Sequence, residues 1–283
     1  MSPAADGLFF GTAGVPLSSS DASTLTAIEH IRELGLNCLE VEFVKGIKMG
    51  PDTAGTIGER ARGLGVRLSV HAPYYINLNS EDRATRLLSQ ERLLKSARLA
   101  AAMGARSVVF HAGFYGKDTT EHAYAAVRSE LAELMSVIRT ERIPVTMRVE
   151  TMGKRAQFGS LDEVLQLCRD VGGLQPCLDF SHLYAREGRV NSFPEFERVL
   201  GKVAKKLGAA SLRNLHIHVA GVEYNQTGEL KHLNLQESDF RYDEWLRALR
   251  EAGVGGMVIC ESPNLEADAV MLKELYLAQV AKH

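Results

Sequence analysis

Short apolar runs rich in β-formers recur along this chain between longer segments of helical period, and six of those runs stop at a histidine or an acid. They are RLSVHA reaching His71, SVVFHAG reaching His111, VTMRVET reaching Glu150, PCLDFSH reaching Asp179, LHIHVAG carrying His216 and His218, and MVICES reaching Glu261. Strands alternating with helices imply a parallel sheet whose crossovers are helical. The runs predict strands at 7–12, 37–43, 66–71, 106–111, 144–150, 175–181, 212–219 and 256–261. Eight strands suffice for closure, so the expected fold is α/β, a (β/α)8 TIM barrel. All strand ends of such a barrel open onto one face, which brings residues distant in sequence together.

The 283 residues fit one barrel of this kind, for which about 250 is typical, and 1–283 is read as a single domain. Helices are expected at 21–35, 52–64, 82–103, 119–140, 160–171, 194–208, 241–252 and 265–281. Apolar residues such as Leu87, Leu88, Leu93, Leu94 and Leu99 supply the stripe that packs on the barrel. Ser160 with Glu163 three residues later is a capping-box pattern, and Gly104, Gly173 and Gly253 follow helices where a left-handed cap is wanted. Two connections exceed a short turn, 72–81 and 220–239, and loops at that end of a barrel carry binding residues.

A formal charge of −2 gives no global positive field of the kind that marks a dedicated nucleic-acid binder, although a local basic rim is compatible with it. Cys38, Cys168, Cys177 and Cys260 lack CxxC spacing and sit in apolar runs, which reads as buried thiols in a reducing cytoplasm. No stretch reaches the ~18 apolar residues of a membrane span, and the first residues lack the pattern of a signal peptide. Cytoplasmic location, no membrane partner and a monomer are the expectations.

Histidine with Asp and Glu, and no cysteine, forms a ligand set suited to Zn²⁺, Mn²⁺ or Fe²⁺. Six such strand ends exceed what one tetrahedral ion needs, and paired ions ~3.5–4 Å apart are a device for in-line displacement at phosphorus. A carboxylate closing an apolar strand, as at Glu150 and Glu261, is costly to bury without a cation. His216 and His218 alternate on one strand and point to the same side. His218, nearer the strand end, is expected to be the ligand and His216 a supporting or packing group, with the reverse assignment open.

These residues resemble endonuclease IV, the zinc-dependent apurinic/apyrimidinic endonuclease family within the xylose isomerase-like barrels. The matching stretches are HAPYYINL at 71–78, FHAG at 110–113, RVET at 148–151, LDFSHLYAREG at 178–188, HIHVAG at 216–221, KHLNL at 231–235 and ICES at 259–262. EVEFVKG at 40–46 and ETMGKRAQFGS at 150–160 look closer to archaeal-type members. The resemblance implies two or three Zn²⁺ ions, with Mn²⁺ as an alternative. His71 and His111 would hold the first with Glu150 bridging; Glu150, Asp179, His218 and Glu261 the second; His182 and His232 the third. It also implies hydrolysis of the phosphodiester 5′ to an abasic site in double-stranded DNA during base excision repair, with Glu150 and Glu261 as the catalytic carboxylates. The segment 71–78 matches the family's intercalating loop, where Tyr74 best fits the role of the aromatic wedge with Tyr75 beside it, and Lys45 and Lys48 match basic DNA-contacting positions. One position departs from the pattern. The family's third metal takes a carboxylate two residues before the histidine matching His232, and here that residue is Leu230, with Glu229 and Glu223 as the nearby acids.

Two other readings use the same residues. A sugar isomerase or epimerase on this barrel would need Glu150, Asp179, His218 and Glu261 around one divalent ion, with less use for His71, His111 and His182. A non-cutting homologue would bind damaged DNA through the same face.

Overall fold

The computed structural model describes residues 7–280. In chain order its strands and helices are β1 (Leu8–Ala13), α1 (Thr24–Glu33), β2 (Cys38–Glu42), α2 (Pro51–Leu64), β3 (Arg67–His71), α3 (Arg83–Ala102), β4 (Ser107–Phe110) and α4 (Thr120–Thr140). There follow β5 (Thr146–Glu150), α5 (Leu161–Asp170), β6 (Gln175–Asp179), α6 (Phe180–Glu187), α7 (Phe193–Leu207), β7 (Leu215–Val219), β8 (Gly221–Asn225), β9 (Gly228–Leu233), α8 (Tyr242–Glu251), β10 (Gly256–Cys260) and α9 (Glu266–Val280). Eight strands close a barrel in the order β1-β10-β7-β6-β5-β4-β3-β2, every pairing parallel. The expected α/β TIM barrel is the fold found. The last expected helical residue, 281, lies outside the described residues.

Side chains alternate across each strand, so half of every strand faces the helices and half the lumen. The outward half is apolar: Leu39, Val41, Val70, Val108, Val149, Leu178, Ile217 and Val258 are buried in the main core against the helices. The lumen is layered. Cys38, Met257 and Ile259 make a separate apolar cluster with Phe9 and Ala13 toward its base. The rest of the lumen is polar, and Arg148 is fully buried with its guanidinium donating to Ser107 Oγ (2.8 Å) and to the carbonyls of Pro176 (3.2 Å) and Asn214 (3.0 Å). Those bonds satisfy a cation whose burial costs enough to push its pKa down to about 10.

Three expectations are corrected. Strand 175–181 ends at Asp179, because the Asp179 carboxylate accepts from the backbone N–H of His182 (2.7 Å) and so caps α6, a helix that begins at the next residue. The connection 220–239 is largely an antiparallel hairpin, β8 with β9. In α3 the buried stripe runs through Ser89, Leu93, Ser96, Ala97, Leu99 and Ala100, so Leu93 and Leu99 pack as expected, whereas Leu87 and Leu88 lie out of phase with it and are exposed. Ser89 and Ser96 on that stripe return their hydroxyls to the carbonyls of Thr85 (2.7 Å) and Arg92 (2.8 Å). The four cysteines are buried and free.

The capping box at the start of α5 is present: Ser160 Oγ accepts from the Glu163 N–H (3.4 Å) and the Glu163 carboxylate accepts from the Ser160 N–H (2.9 Å). Replacing Ser160 with alanine is expected to cost about 1 kcal/mol. A thermal melt should record a fall of roughly 2–4 °C.

Candidate metal centre

The strand ends do converge. His71 ends β3, His111 follows β4, Glu150 ends β5, Asp179 ends β6, His218 lies on β7 and Glu261 follows β10. Glu150 is the common neighbour. Its Oε2 lies 3.2 Å from His71 Nε2 and 3.0 Å from His111 Nε2, while its Oε1 lies 3.1 Å from His182 Nδ1 and 3.6 Å from His218 Nδ1. One carboxylate thus faces a different set of imidazoles with each oxygen. Potential ligand atoms fall within 4.8 Å of one another in three groups on this face: His71, His111 and Glu150; Glu150, Asp179, His218 and Glu261; and Asp179, His182 and His232.

Hydrogen bonds outside these groups decide which nitrogen each ring presents. His71 Nδ1 donates to the Ala72 carbonyl (2.8 Å), His182 Nδ1 to that of Thr151 (2.9 Å) and His232 Nδ1 to that of Glu261 (3.2 Å). A neutral imidazole with its proton at Nδ1 turns a bare Nε2 lone pair the other way. Those Nε2 atoms face carboxylates, His71 toward Glu150 and His182 toward Glu229 (3.3 Å). Lone pair against carboxylate repels unless a proton or a metal cation lies between them. Asp179 Oδ2, His218 Nδ1 and His232 Nε2 are moreover buried without any hydrogen-bond partner. Buried polar atoms are seldom left so, and this imidazole and carboxylate donor set fits Zn²⁺ or Mn²⁺.

With protons alone the groups are strongly perturbed. Burial disfavours the charge on His71, but the Glu150 hydrogen bond and the Glu42 and Glu150 charges outweigh it and hold the imidazolium up to about 10. Burial likewise opposes ionisation of Glu150, and His111 and His218 overcome it, keeping the carboxyl well below the usual range. Asp179, where burial prevails over His182, is pushed up to about 6.

The third group depends on a bulge. Glu229 and His232 are three residues apart, and side chains at odd spacing on a regular strand point to opposite faces. In the β8–β9 ladder Glu223 pairs with Lys231 and Tyr224 with Glu229, so Leu230 is an extra residue in β9. That bulge returns Glu229 to the His232 face, where its carboxylate lies 3.3 Å from His182 Nε2 and 3.7 Å from His232 Nε2. Gly153 makes room, since a Cβ there would meet the Glu229 Cβ at 2.8 Å and His182 Cδ2 at 2.9 Å. Glu223 instead pairs with Lys231 at 3.0 Å, and Leu230 is half exposed.

Tyr74 stands over the centre: its half-exposed ring stacks on His111 (centroids 5.2 Å apart, 9° between planes) and meets His71 edge-on at 5.4 Å. Tyr75 turns away, with the Arg92 guanidinium 5.7 Å over its ring. Lys45 and Lys48 are exposed on the loop after β2, where with Glu42, Phe43 and Met49 they line a cleft of about 340 Å³.

Two acids on β2 were not anticipated. Glu40 and Glu42 alternate on the strand and so both face the lumen. Glu40 is fully buried; its Oε2 accepts from Ser69 Oγ (2.7 Å) and His216 Nε2 (2.9 Å), and its Oε1 lies 2.7 Å from His218 Nε2. His216 is therefore held by Glu40 beneath His218, the ring that reaches Glu150 and Glu261. The available signal was the pair of acids at even spacing inside an apolar strand, which only a lumen with buried cations accommodates.

Burial pushes the Glu42 carboxyl up to about 8, opposed by His71 and reinforced by Glu40 and Glu261. A free glutamate ionises near 4.3. In metal-free protein the folded state therefore loses stability progressively as pH rises from about 4.3 to about 8, and the loss is complete above that. Glu42→Gln removes it: the variant should melt several degrees above the parent at pH 9, at roughly 2–4 °C per kcal/mol, with the gap closing below pH 4. A gap independent of pH would exclude ionisation as its cause.

The comparisons agree with this fold. A family model described as the xylose isomerase-like TIM barrel matches residues 28–278. An uncharacterised protein of Methanocaldococcus jannaschii is 42% identical over 270 residues, covering 95% of this chain and 97% of its own. A probable endonuclease 4 of Aster yellows witches'-broom phytoplasma is 24% identical over 215 residues, covering 74% and 70%. Among solved structures, endonuclease IV from Thermus thermophilus superposes with a TM-score of 0.75 at 19% identity over 97% of this chain and 100% of that one. A D-tagatose 3-epimerase-like protein does so with 0.69 at 22% over 96% and 98%. With most of its length matched by the family model, the chain belongs to AP endonuclease family 2, the xylose isomerase-like TIM barrels.

Proposed function

We propose that this protein is a zinc-dependent endonuclease that hydrolyses the phosphodiester 5′ to abasic sites in double-stranded DNA. The observation that carries the reading is the sharing of Glu150 and Asp179 between ligand groups, which provides for two or three ions where an isomerase on this barrel needs one. Likeness to a probable endonuclease 4 supports it from the sequence side.

In this reading His71, His111 and Glu150 would hold one ion, Glu150, Asp179, His218 and Glu261 a second, and His182, His232 and Glu229 a third. Bound Zn²⁺ supplies a water of lowered pKa and offsets the charge that develops on the phosphate. The protein positions these ions. Glu150 fixes the spacing of the first two groups, and Asp179 joins the second to the third while its other oxygen caps α6. Glu261, partly open to the mouth and 3.3 Å from His218 Nδ1, would take a proton from the attacking water as its oxygen bonds to phosphorus and the P–O3′ bond breaks, and the departing 3′ oxygen would end protonated as a hydroxyl. Glu40 orients His218 from below, directly and through His216. Tyr74 enters the base stack beside the extruded abasic nucleotide, whose lack of a base makes extrusion least costly. Tyr75, Lys45 and Lys48 contact the DNA backbone. The protein acts as a single-domain monomer in the reducing cytoplasm, a setting compatible with its four buried free thiols.

Likeness to a D-tagatose 3-epimerase-like structure keeps a sugar epimerase as the second reading. Metal content separates the two. Zinc-loaded protein should contain two or three ions by mass spectrometry and cut an abasic duplex on the 5′ side. One ion without incision points to the epimerase. Full loading and tight, salt-sensitive DNA binding without incision identify a non-cutting homologue.

Glu229→Ala should lower the zinc content by one ion per chain. Deleting Leu230 removes the bulge while leaving Glu229 two positions before the histidine, so the zinc content should be retained. Loss of an ion on that deletion would show that the bulge does more than set the strand's phase.

A further inference from the structure

Large apolar side chains left in water on the loops of the metal-centre face include Tyr74, Tyr75, Phe114 and Leu230. Phe114, 44% exposed, has no place in the function proposed above. It lies three residues beyond His111, the ring on which Tyr74 stacks.

Its backbone is clamped from two sides. The Phe114 N–H donates to Asn77 Oδ1 (3.4 Å), and its carbonyl accepts from Asn79 Nδ2 (3.1 Å), both on the Tyr74 loop. Opposite, Phe114 forms an antiparallel bridge with Gln157, flanked by bonds from Phe158 N–H to the Gly113 carbonyl (3.0 Å) and from Tyr115 N–H to the Ala156 carbonyl (3.2 Å). The close pass at Asn77 requires glycine at 113: its φ is +130°, and a Cβ there would lie 2.3 Å from Asn77 Oδ1. The next aromatic, Tyr115, is partly buried with its hydroxyl donating to Glu163 (2.7 Å). Phe114 is thus held outward on a fixed backbone beside a neighbour that turns in.

A rigid exposed ring loses little entropy on binding and offers a π-face to a flat, apolar-faced ligand. Lys117, Lys154 and Arg155 are exposed on the same two loops and suit a phosphate backbone. Aromatic rings interleaved with cations are the surface by which unpaired bases are held.

We propose that Phe114 is a second stacking side chain, beyond Tyr74, that receives the face of an unpaired nucleobase next to the cleaved linkage. This rests on the nuclease reading, and the test keeps the two apart.

Zinc-loaded protein is titrated with an abasic duplex carrying 2-aminopurine beside or opposite the abasic site. Phe114→Ala should weaken binding and raise KM by about tenfold with kcat unchanged, and should abolish the fluorescence change seen with the parent protein. Phe114→Trp should restore both. An alanine variant that binds and reports as the parent does, while Tyr74→Ala loses both, overturns the proposal and leaves the nuclease reading standing. So does a loss of affinity that tryptophan fails to restore. A parent protein that neither binds nor cuts the duplex brings down both. Melting temperatures equal to the parent's verify that the variants are folded.

Discussion

A carboxylate buried at the top of the lumen, Glu150, is the constraint around which the rest of this molecule is arranged. It lies within 3.6 Å of four imidazoles brought from β3, β7, α6 and the loop after β4. An ionised carboxylate so enclosed is tolerated only when compensated by cations. The barrel provides the enclosure, because the C-terminal ends of its parallel strands open onto one face, and β3, β4, β5, β6, β7 and β10 each bring a group there. Asp179 extends the cluster outward: one oxygen terminates β6 by capping α6, and the other remains among the ligands.

Below this layer the lumen is polar where barrels of this class are usually filled by branched aliphatics. Glu40, Ser69 and His216 form a hydrogen-bonded set under His218, and Arg148 is satisfied by the carbonyls of Pro176 on β6 and Asn214 before β7. Such a network leaves few ways to pack, since each polar atom must keep its partner. Rigidity beneath the centre is what a ligand cage requires, and here it comes from buried hydrogen bonds in the floor of the cage.

The barrel was legible because strand and helix periods differ so plainly along the chain, and the convergence of His71, His111, Glu150, Asp179, His218 and Glu261 followed from closure alone. What stayed hidden was of shorter range. The start of α6 at residue 180 turns on a single cap at Asp179, and the hairpin within 220–239 is a polar two-stranded element with little alternation to announce it. The even spacing of Glu40 and Glu42 was a signal that became readable only with the strand placed in the barrel, because an isolated pair of glutamates on a strand otherwise reads as a solvated face. Leu87 and Leu88 differ for the opposite reason: the leucine count masked the phase of the buried stripe of α3, which takes Leu93 and Leu99 with serines and alanines between them.

Leu230 alters a spacing without altering a face. A ligand on a hairpin belongs to a side of the ribbon, and the count of residues between ligands matters only through the side on which each emerges. One inserted residue, pushed out as a loop, leaves the chelating face chemically whole while erasing the motif that would announce it. The absence of a carboxylate two places before His232 is therefore no sign that this face lacks one, since Glu229 reaches it from one place earlier.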